Sequence, residues 1–534
     1  MKMTTKQKKT SYWISFAMLT AVLVFLCFFK LDAKYVDPWD EARHGVNAYE
    51  MLHGGSLIQS TYRRQADYYN LKPPLSMWCI MIGLKLFSDP VLGLRFYSAL
   101  SYLLLSMLTA LFFRRIFPLA SLFTLGALTV NMTPFLAHMV RAGDADSLYC
   151  LLFTAAMLAM LKIRENHRFL YLCGFLFSLA FLTKSFHAMT IAAVGGLFLL
   201  LTRQLVQIRL KEWGLFLTSI LVPVLCWGLL RYRVDQAAFF VKMWETDVLG
   251  RTSGALHSNP APFGYYLEYY LTPRIMGRMQ VYTWALLVVA VAGIVRLAEC
   301  IRMRKETKAE SKEQRNDGIF RPDGQLILGL ALWILVPLLA FSAVSNKLLW
   351  YVYPSVTGLM IAAGIGAAEL MSRIFGIINK PVRCLLTALF PAALCFCFIW
   401  YAAGIFHIVN AQSYNEFQIL VRATAGDGKA LGIMEEMQKK DESVRLPEQK
   451  FRDCEIYTDY DNGNVVWSQQ DVFVAQAFGN YTCRDGGVAA LLVEPDNSGG
   501  LVFADRATYE QQALFYEDYS LVAQTPDYLV FEVR

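Results

Sequence analysis

The chain of 534 residues is 56% hydrophobic and 17% charged, with a formal net charge of +7. The apolar residues come in blocks of about 15–25, the length that crosses a bilayer as a helix, which excludes an ordinary soluble enzyme. So small a positive balance gives no reason to expect nucleic-acid binding.

The N-terminal lysines of "MKMTTKQKKT" precede the apolar run "SYWISFAMLTAVLVFLCFF". That run is longer than a signal-peptide core and lacks a small-x-small cleavage site, so it is read as an uncleaved first span. Further spans are expected near 97–113, 118–136, 148–162, 170–184, 187–202, 214–230, 281–297, 325–343, 350–371 and 384–406, about eleven in all. With the N-terminus in the cytoplasm, the basic joints at Arg114/Arg115, Arg164/Arg168, Arg203/Arg209/Lys211, 296–321 and Arg373/Lys380/Arg383 all fall on the cytoplasmic side. This holds only if "PPLSMWCIMIGLKLF" (73–87) does not cross, so it is expected to lie at or dip into the outer surface. The expected fold is a polytopic helical bundle, residues 1–407, with outer loops at 31–96 and 231–280. A small extracytoplasmic α/β domain follows over 408–534.

The outer loops hold the unusual side chains. After the first span comes "DPWDEARHG", where Asp40, Glu41 and Arg43 can form a local charge network. Carboxylates near lipid are costly unless they face water, a cation or a partner. A carboxylate can also accept a proton from a hydroxyl as a bond forms. Lys72, in "YYNLKPPLSMW", is either a snorkelling lysine or a phosphate ligand. In "HMVRAGDADSLYCLLF", Arg141, Asp144 and Asp146 sit at the mouth of an apolar helix, where an aspartate can cap the N-terminus. Lys184 and His187 interrupt an apolar double span, so Lys184 either snorkels or binds an anion. "ALHSNPAPFGYYLEYYL" offers His257 within a tyrosine-rich interfacial belt, and "FSAVSNKLLWYVYP" places Lys347 in a short outer turn just before Tyr351.

In the C-terminal segment the runs "DVFVAQAF", "GVAALLVEP", "GLVFAD" and "YSLVAQTPDYLVFEV" are read as strands, the last as a hairpin across "TPD", while 414–424 and 507–516 are read as helices. Cys454 and Cys483 are the cysteines in polar sequence and would be free to pair outside the cytoplasm. No Walker loop, G-x-G-x-x-G, H-E-x-x-H or G-x-S-x-G is present.

Taken in order, "DEARHG", "KPPLSMW", "RAGDADSLYCLLF", "LAFLTKSF", "HSNPAPFGYYL" and "FSAVSNKLLWYVYP" resemble the motifs of the GT-C class of membrane glycosyltransferases. The resemblance is to the branch holding the bacterial aminoarabinose (lipid A) transferases and the protein O-mannosyltransferases. It implies transfer of a sugar from a polyprenyl-phosphate donor to a lipid, glycan or protein acceptor at the outer face, without a nucleotide sugar. It makes Asp40 the general base with Glu41 beside it, and places Lys72, Lys347 and Tyr351 near the donor phosphate. Arg43, Arg141, Asp146, Lys184 and His257 complete the expected substrate-binding set. Leu71 stands where some relatives carry a metal-binding acid, so no cofactor is expected and a divalent metal lacks that ligand. Leu349 replaces a proline of the last motif. A transporter or flippase of an anionic lipid is the competing reading, but its ionisable residues would lie near mid-membrane and its spans would show repeats.

Overall fold

The computed structural model describes residues 5–250, 260–306, 322–378, 414–459, 466–493 and 499–533, apart from 273, 276–277 and 280, with a few positions between 379 and 413. Eight of its helical segments are long and apolar enough to cross a membrane. They begin with α1 (Thr5–Phe28). After α2 (Asp40–Leu52), a hairpin of β1 (Thr61–Tyr62) and β2 (Gln65–Ala66), and α3 (Leu75–Leu86), the long helices resume. They run through α4 (Pro90–Arg114), α5 (Pro118–Val130) with α6 (Thr133–Leu136), α8 (Arg168–Lys184) continuing into α9 (Met189–Leu201), and α10 (Leu210–Asp235), while α7 (Asp146–Met160) between α6 and α8 is a shorter apolar helix. Short α11 (Ala238–Met243) and α12 (Tyr265–Leu271), then a hairpin of β3 (Arg274–Ile275) and β4 (Arg278–Met279), precede α13 (Val281–Glu306), α14 (Pro322–Ala343) and α15 (Tyr353–Ile377). The expected spans fall on these helices, with 148–162 on the shorter α7 and 170–184 and 187–202 on the two halves of one 34-residue stretch; the one at 384–406 lies mainly outside the described residues.

Helix starts follow from local chemistry. Asp89 caps α4, its Oδ1 accepting from the amides of Val91 (2.9 Å) and Leu92 (3.1 Å), with Pro90 at the first helical position. Proline also opens α5 and α15. Along α10 only Trp227 and Arg231 are buried, while Leu217, Leu221, Leu225 and Leu229 face outward, as a lipid-facing helix requires.

Contacts sort the helix ends into two sets. At one end Arg114 lies 4.1 Å from the Trp13 ring, Lys162 faces Phe112, His167 meets Glu212 at 2.9 Å, and Arg296 meets Glu369 at 2.6 Å. At the other end Arg141 reaches the carbonyls that close α1, Ser98 of α4 donates to the Asp144 carbonyl before α7, and Lys184 at the end of α8 pairs with Asp146 of α7 and faces Tyr351 just before α15. The joints expected to be basic and the polar loops thus occupy opposite ends of the bundle.

Helix α3 stays at the polar end. Its inner face packs Met77 and Ile80 against α2 and the start of α4, leaving Ile82 and Leu86 outward at 60% and 67% exposure. Crossing of α3 over α4 brings Gly83 against Gly93, where a Cβ on Gly93 would fall 2.9 Å from the Gly83 carbonyl carbon.

The C-terminal segment is an α/β domain. Helices α16 (Glu416–Thr424), α17 (Gly428–Gln438) and α18 (Gln469–Gly479) flank a five-stranded sheet. Its strands are β5 (Glu455–Asp459), β6 (Thr482–Arg484), β7 (Leu501–Asp505), β8 (Ser520–Gln524) and β9 (Tyr528–Glu532), in the order β6-β5-β7-β9-β8. Strand β5 pairs parallel with both β6 and β7, whereas β9 runs antiparallel to β7 and to β8. The hairpin across "TPD" and the helices near 414–424 and 507–516 match expectation. Two runs do not: "DVFVAQAF" lies in α18, and "GVAALLVEP" begins with the helix Gly487–Val493. Short apolar runs carry no periodicity that separates a buried helix from a buried strand. Cys454 and Cys483 are unpaired. Strand register sets Cys483 opposite Ile456, two residues beyond Cys454, a diagonal of roughly 7–8 Å that exceeds the span of a disulfide.

This domain shares one core with the loop helices. Val36, Val46, Met77 and Leu94 pack in the same cluster as Phe417, Leu420, Val472 and Phe473. The Gln418 amide pairs with the backbone of Val36 in both directions, at 3.0 and 3.1 Å, and Gln476 donates to Glu50 at 2.7 Å.

A Gly93→Ala variant should lose about 1–3 kcal/mol of stability by forcing α3 and α4 apart. Thermal unfolding in detergent checks this; an unchanged midpoint would refute the close helix crossing.

Candidate active site

The site is assembled where α2, the loop segment carrying Lys72, the 137–145 loop and the end of α8 converge. Its framework is Glu41. Its Oε1 accepts from Arg95 Nε (2.6 Å) and the Gly143 amide (2.8 Å), while Oε2 accepts from Arg95 Nη2 (2.9 Å) and the Asp37 amide (2.8 Å). Arg95, fully buried, spends its remaining donors on the carbonyls of Leu31, Lys34 and Tyr35. Burial alone would favour the neutral acid at Glu41, but the Arg95 charge and these donors outweigh it and hold the pKa below the usual value. Glu41 therefore has no lone pair free for substrate.

Asp40, one residue earlier, is 38% exposed at its side chain and accepts from Lys72 Nζ at 3.2 Å. His138 brings Nε2 to 3.9 Å from Asp40, ion-pairs with Asp144 through Nδ1, and stands 3.8 Å from Asp146. Its ring lies flat on Trp350, with centroids 3.8 Å apart and planes 2° from parallel. Asp146 in turn pairs with Lys184, whose ammonium also faces the Tyr351 ring at 5.6 Å. His44, fully buried, sits 3.6 Å from Asp144.

These groups tune one another. At Asp40 burial raises the pKa, but Lys72, His138 and His44 outweigh it and the net shift is downward despite the repulsion of Asp144. Burial opposes the charge on Lys72 too, and Asp40, Asp144 and Asp146 overcome it, so the ammonium is held more firmly than usual. His138 is pushed up to about 10 because Asp144 outweighs its desolvation, whereas His44 is pushed down to about 4 by burial and by Lys72. Asp144 is well below its ordinary value: burial is overcome by His138 and Lys72. Two backbone outliers flank the cluster, Trp39 at φ 69° and His138 at φ 60°. Such conformations cost of order 1–3 kcal/mol and concentrate at functional sites.

The other sequence candidates have different settings. Arg43 forms a two-pronged pair with Asp67 (2.8 and 2.7 Å) and lies between Tyr62 and Tyr69. Arg141 points away from Asp40 and satisfies the carbonyls of Leu26, Phe29 and Lys30 at the end of α1. Neither Asp144 nor Asp146 makes a side-chain cap on α7; their carboxylates turn to His138 and Lys184. Lys347 donates to the carbonyls of Val344 (2.6 Å) and Ala261 (2.9 Å) beside a recess of about 550 Å³ that includes Pro260, Phe263 and Ser345. Three residues on, Trp350 supplies the His138 stack, so this turn abuts the Asp40 cluster. Tyr351 is buried against His187 and Phe341. His257 lies outside the described residues.

Sequence reasoning did not single out Arg95, His138 or His44. An arginine one turn into an apolar helix, as in "DPVLGLRFY", demands a buried partner and was the available signal for Arg95.

Leu71 is buried in an apolar cluster with Trp227 and Phe239, so the position of the relatives' metal-binding acid offers no ligand here. Asp40, His138 and Asp144 do bring three ligand atoms within 4.8 Å of one another. A divalent ion there would have to displace the charges already supplied by Lys72 and His138.

Comparison with solved structures places the whole architecture. The chain aligns with the crystal structure of ArnT from Cupriavidus metallidurans bound to undecaprenyl phosphate over 97% of both chains, with a TM-score of 0.59 at 17% identity. The apo form of that protein gives 0.62 over 98% of both chains at 16% identity. The chain has a GT-C fold. The family model described as dolichyl-phosphate-mannose-protein mannosyltransferase matches residues 71–227. In sequence the chain is 26% identical over 355 residues to an undecaprenyl phosphate-alpha-4-amino-4-deoxy-L-arabinose arabinosyl transferase of Pseudomonas fluorescens, covering 64% of this chain and 56% of that protein. The counterpart from Shewanella sediminis is also 26% identical, with 58% of its length covered. The chain thus spans a little under three fifths of the length of these curated relatives. In the GT-C fold of this chain, the Asp40 cluster lies at the polar end of the bundle, beneath the C-terminal domain.

Glu41→Gln or Arg95→Met should destabilise the protein by about 3–5 kcal/mol, since each leaves the other charge buried and unpaired. Denaturant or thermal unfolding reads this loss. The His138 pKa is raised from 6.5 to about 10, so its pairing contributes fully below about pH 6.5 and is lost as pH rises through 10. The stability advantage of wild type over His138→Gln should shrink across that window. A constant difference would refute the protonated pair.

Proposed function

We propose that the chain is an integral membrane glycosyltransferase that takes a sugar from a polyprenyl-phosphate donor and places it on an acceptor at the extracytoplasmic face. The observation that carries this is the Asp40–Lys72 pair, a partly exposed carboxylate beside an ammonium on a GT-C fold. The similar ArnT structure is bound to undecaprenyl phosphate, and the arabinosyl transferase relatives carry an undecaprenyl-phosphate sugar in their names. The basic joints gathered at the opposite end support, through the positive-inside rule, a site outside the cytoplasm.

The charges suggest an order of events. Without donor, Lys72 and His138 keep Asp40 a weak base. A donor phosphate competes with Asp40 for Lys72, and the base strengthens as its cation is drawn away. Asp40 then takes the proton of the acceptor hydroxyl while that oxygen attacks the anomeric carbon. Lys72 stabilises the charge building on the departing phosphate oxygen. Lys347 and Tyr351 border the donor path, with Lys184 and Asp146 as a fixed internal pair. Glu41 and Arg95 position the loop rather than react. His138 orients Asp40. An arabinose-type pentose is the sugar that the relatives' names favour, ahead of a hexose.

Asp40→Asn should lower transfer at least about 10²-fold with the unfolding midpoint unchanged. The assay follows labelled sugar leaving a polyprenyl-phosphate donor in membranes; retained turnover eliminates Asp40 as base.

A further inference from the structure

We infer that Trp39 is a stacking platform for a pyranose ring of the acceptor, set beside Asp40 by the C-terminal domain. This deepens the glycosyltransferase reading and rests on it for its link to transfer.

Trp39 is 62% exposed, directly before the candidate base. Its backbone is at φ 69°, ψ −115°, a conformation rare for a bulky side chain. Nothing in the helix requires an indole there, since Gly would take this backbone conformation with less strain. The strained peptide is held by its surroundings. The Trp39 carbonyl accepts from the Arg43 amide at 2.9 Å. With its amide turned to satisfy both neighbours, Gln469 of α18 donates to the same carbonyl at 3.1 Å and accepts from Arg43 Nη1 at 3.3 Å. A strained residue persists where its environment over-determines it, and this one leaves its large apolar ring in the open.

The ring does not stand alone. Arg43, in the first turn of α2, is joined to the Trp39 carbonyl through its own amide and through Gln469. Its guanidinium is fixed by Asp67 and sandwiched by Tyr62 (4.2 Å) and Tyr69 (4.5 Å), the latter 59% exposed. Tyr69 thus offers a second exposed ring, linked through Arg43 to the segment that carries Trp39 and Asp40. The C–H face of a pyranose is apolar and slightly positive, which matches the negative face of an aromatic ring. The occupant is assigned to the acceptor because Asp40, next in the chain, is the group that receives the acceptor's proton. The Gln469 contact gives the C-terminal domain a part in acceptor choice through the position of this ring.

The test uses the purified full chain in lipid discs, with chitotetraose and maltotetraose as neutral probes and no donor. Isothermal titration should show saturable binding of at least one probe to wild type. Trp39→Ala should weaken it about tenfold or more, and Trp39→Phe about threefold or less. Steady-state assays with labelled polyprenyl-phosphate sugar should then show a raised acceptor KM in Trp39→Ala with the donor KM unchanged. No binding of either probe to wild type, or equal affinity in wild type and Trp39→Ala, overturns the platform. So does indole emission from Trp39 (wild type minus Trp39→Phe) that shifts on incorporation into lipid but not with sugar, which marks a membrane anchor. Binding is read without turnover, so absence of transfer in wild type overturns the glycosyltransferase reading while the platform is judged on its own.

Discussion

The buried pair of Glu41 and Arg95 is the constraint on which the site's geometry depends. Two charges removed from water repay their desolvation only when every donor and acceptor is used. Here the pair draws in the Gly143 and Asp37 amides and three carbonyls of the 31–35 loop. Four segments distant in sequence thereby become one rigid body: the exit of α1, the start of α2, the start of α4 and the 137–145 loop. Asp40 and His138 are carried by two of those segments, so their approach is a consequence of a contact neither makes.

Around that framework the charges balance locally. Lys72 serves Asp40, His138 serves Asp144 and Lys184 serves Asp146. Each cation lowers the cost of keeping a carboxylate in a region of low dielectric, and each carboxylate does the same in return. The Asp40–Lys72 member differs in being open to solvent and in having the longest contact of the three. It is the pair an incoming anion can most readily divide. Structural and reactive roles therefore separate by exposure among residues of the same chemical type: Glu41 is sealed and Asp40 is not.

The C-terminal domain belongs to the same physical unit. Its α16 and α18 complete the apolar core beneath α2 and α3; Gln418 and Gln469 reach the loop before Asp40, at Val36 and Trp39, and Gln476 reaches Glu50 of α2. A short helix such as α2 has too little intrinsic stability to hold a side chain in place without tertiary packing. The domain supplies that packing.

Apolar block length and the placement of basic residues were enough to anticipate the helical bundle, the surface position of α3 and the end at which the unusual side chains gather. Those features depend on solvation by lipid and water, which each segment meets largely by itself. The ordered motifs likewise marked Asp40, Lys72, Asp146 and Lys184 before any geometry was known. Tertiary structure alone decided how they pair. Arg43 and Arg141 looked like substrate ligands but are spent on Asp67 and on the carbonyls of α1, and His138 looked incidental but joins three aspartates. It also decided that "DVFVAQAF" is helix, since burial against α2 and the sheet outweighs a β-like composition. Which charge meets which is a long-range property of packing, and no local pattern in the chain encodes it.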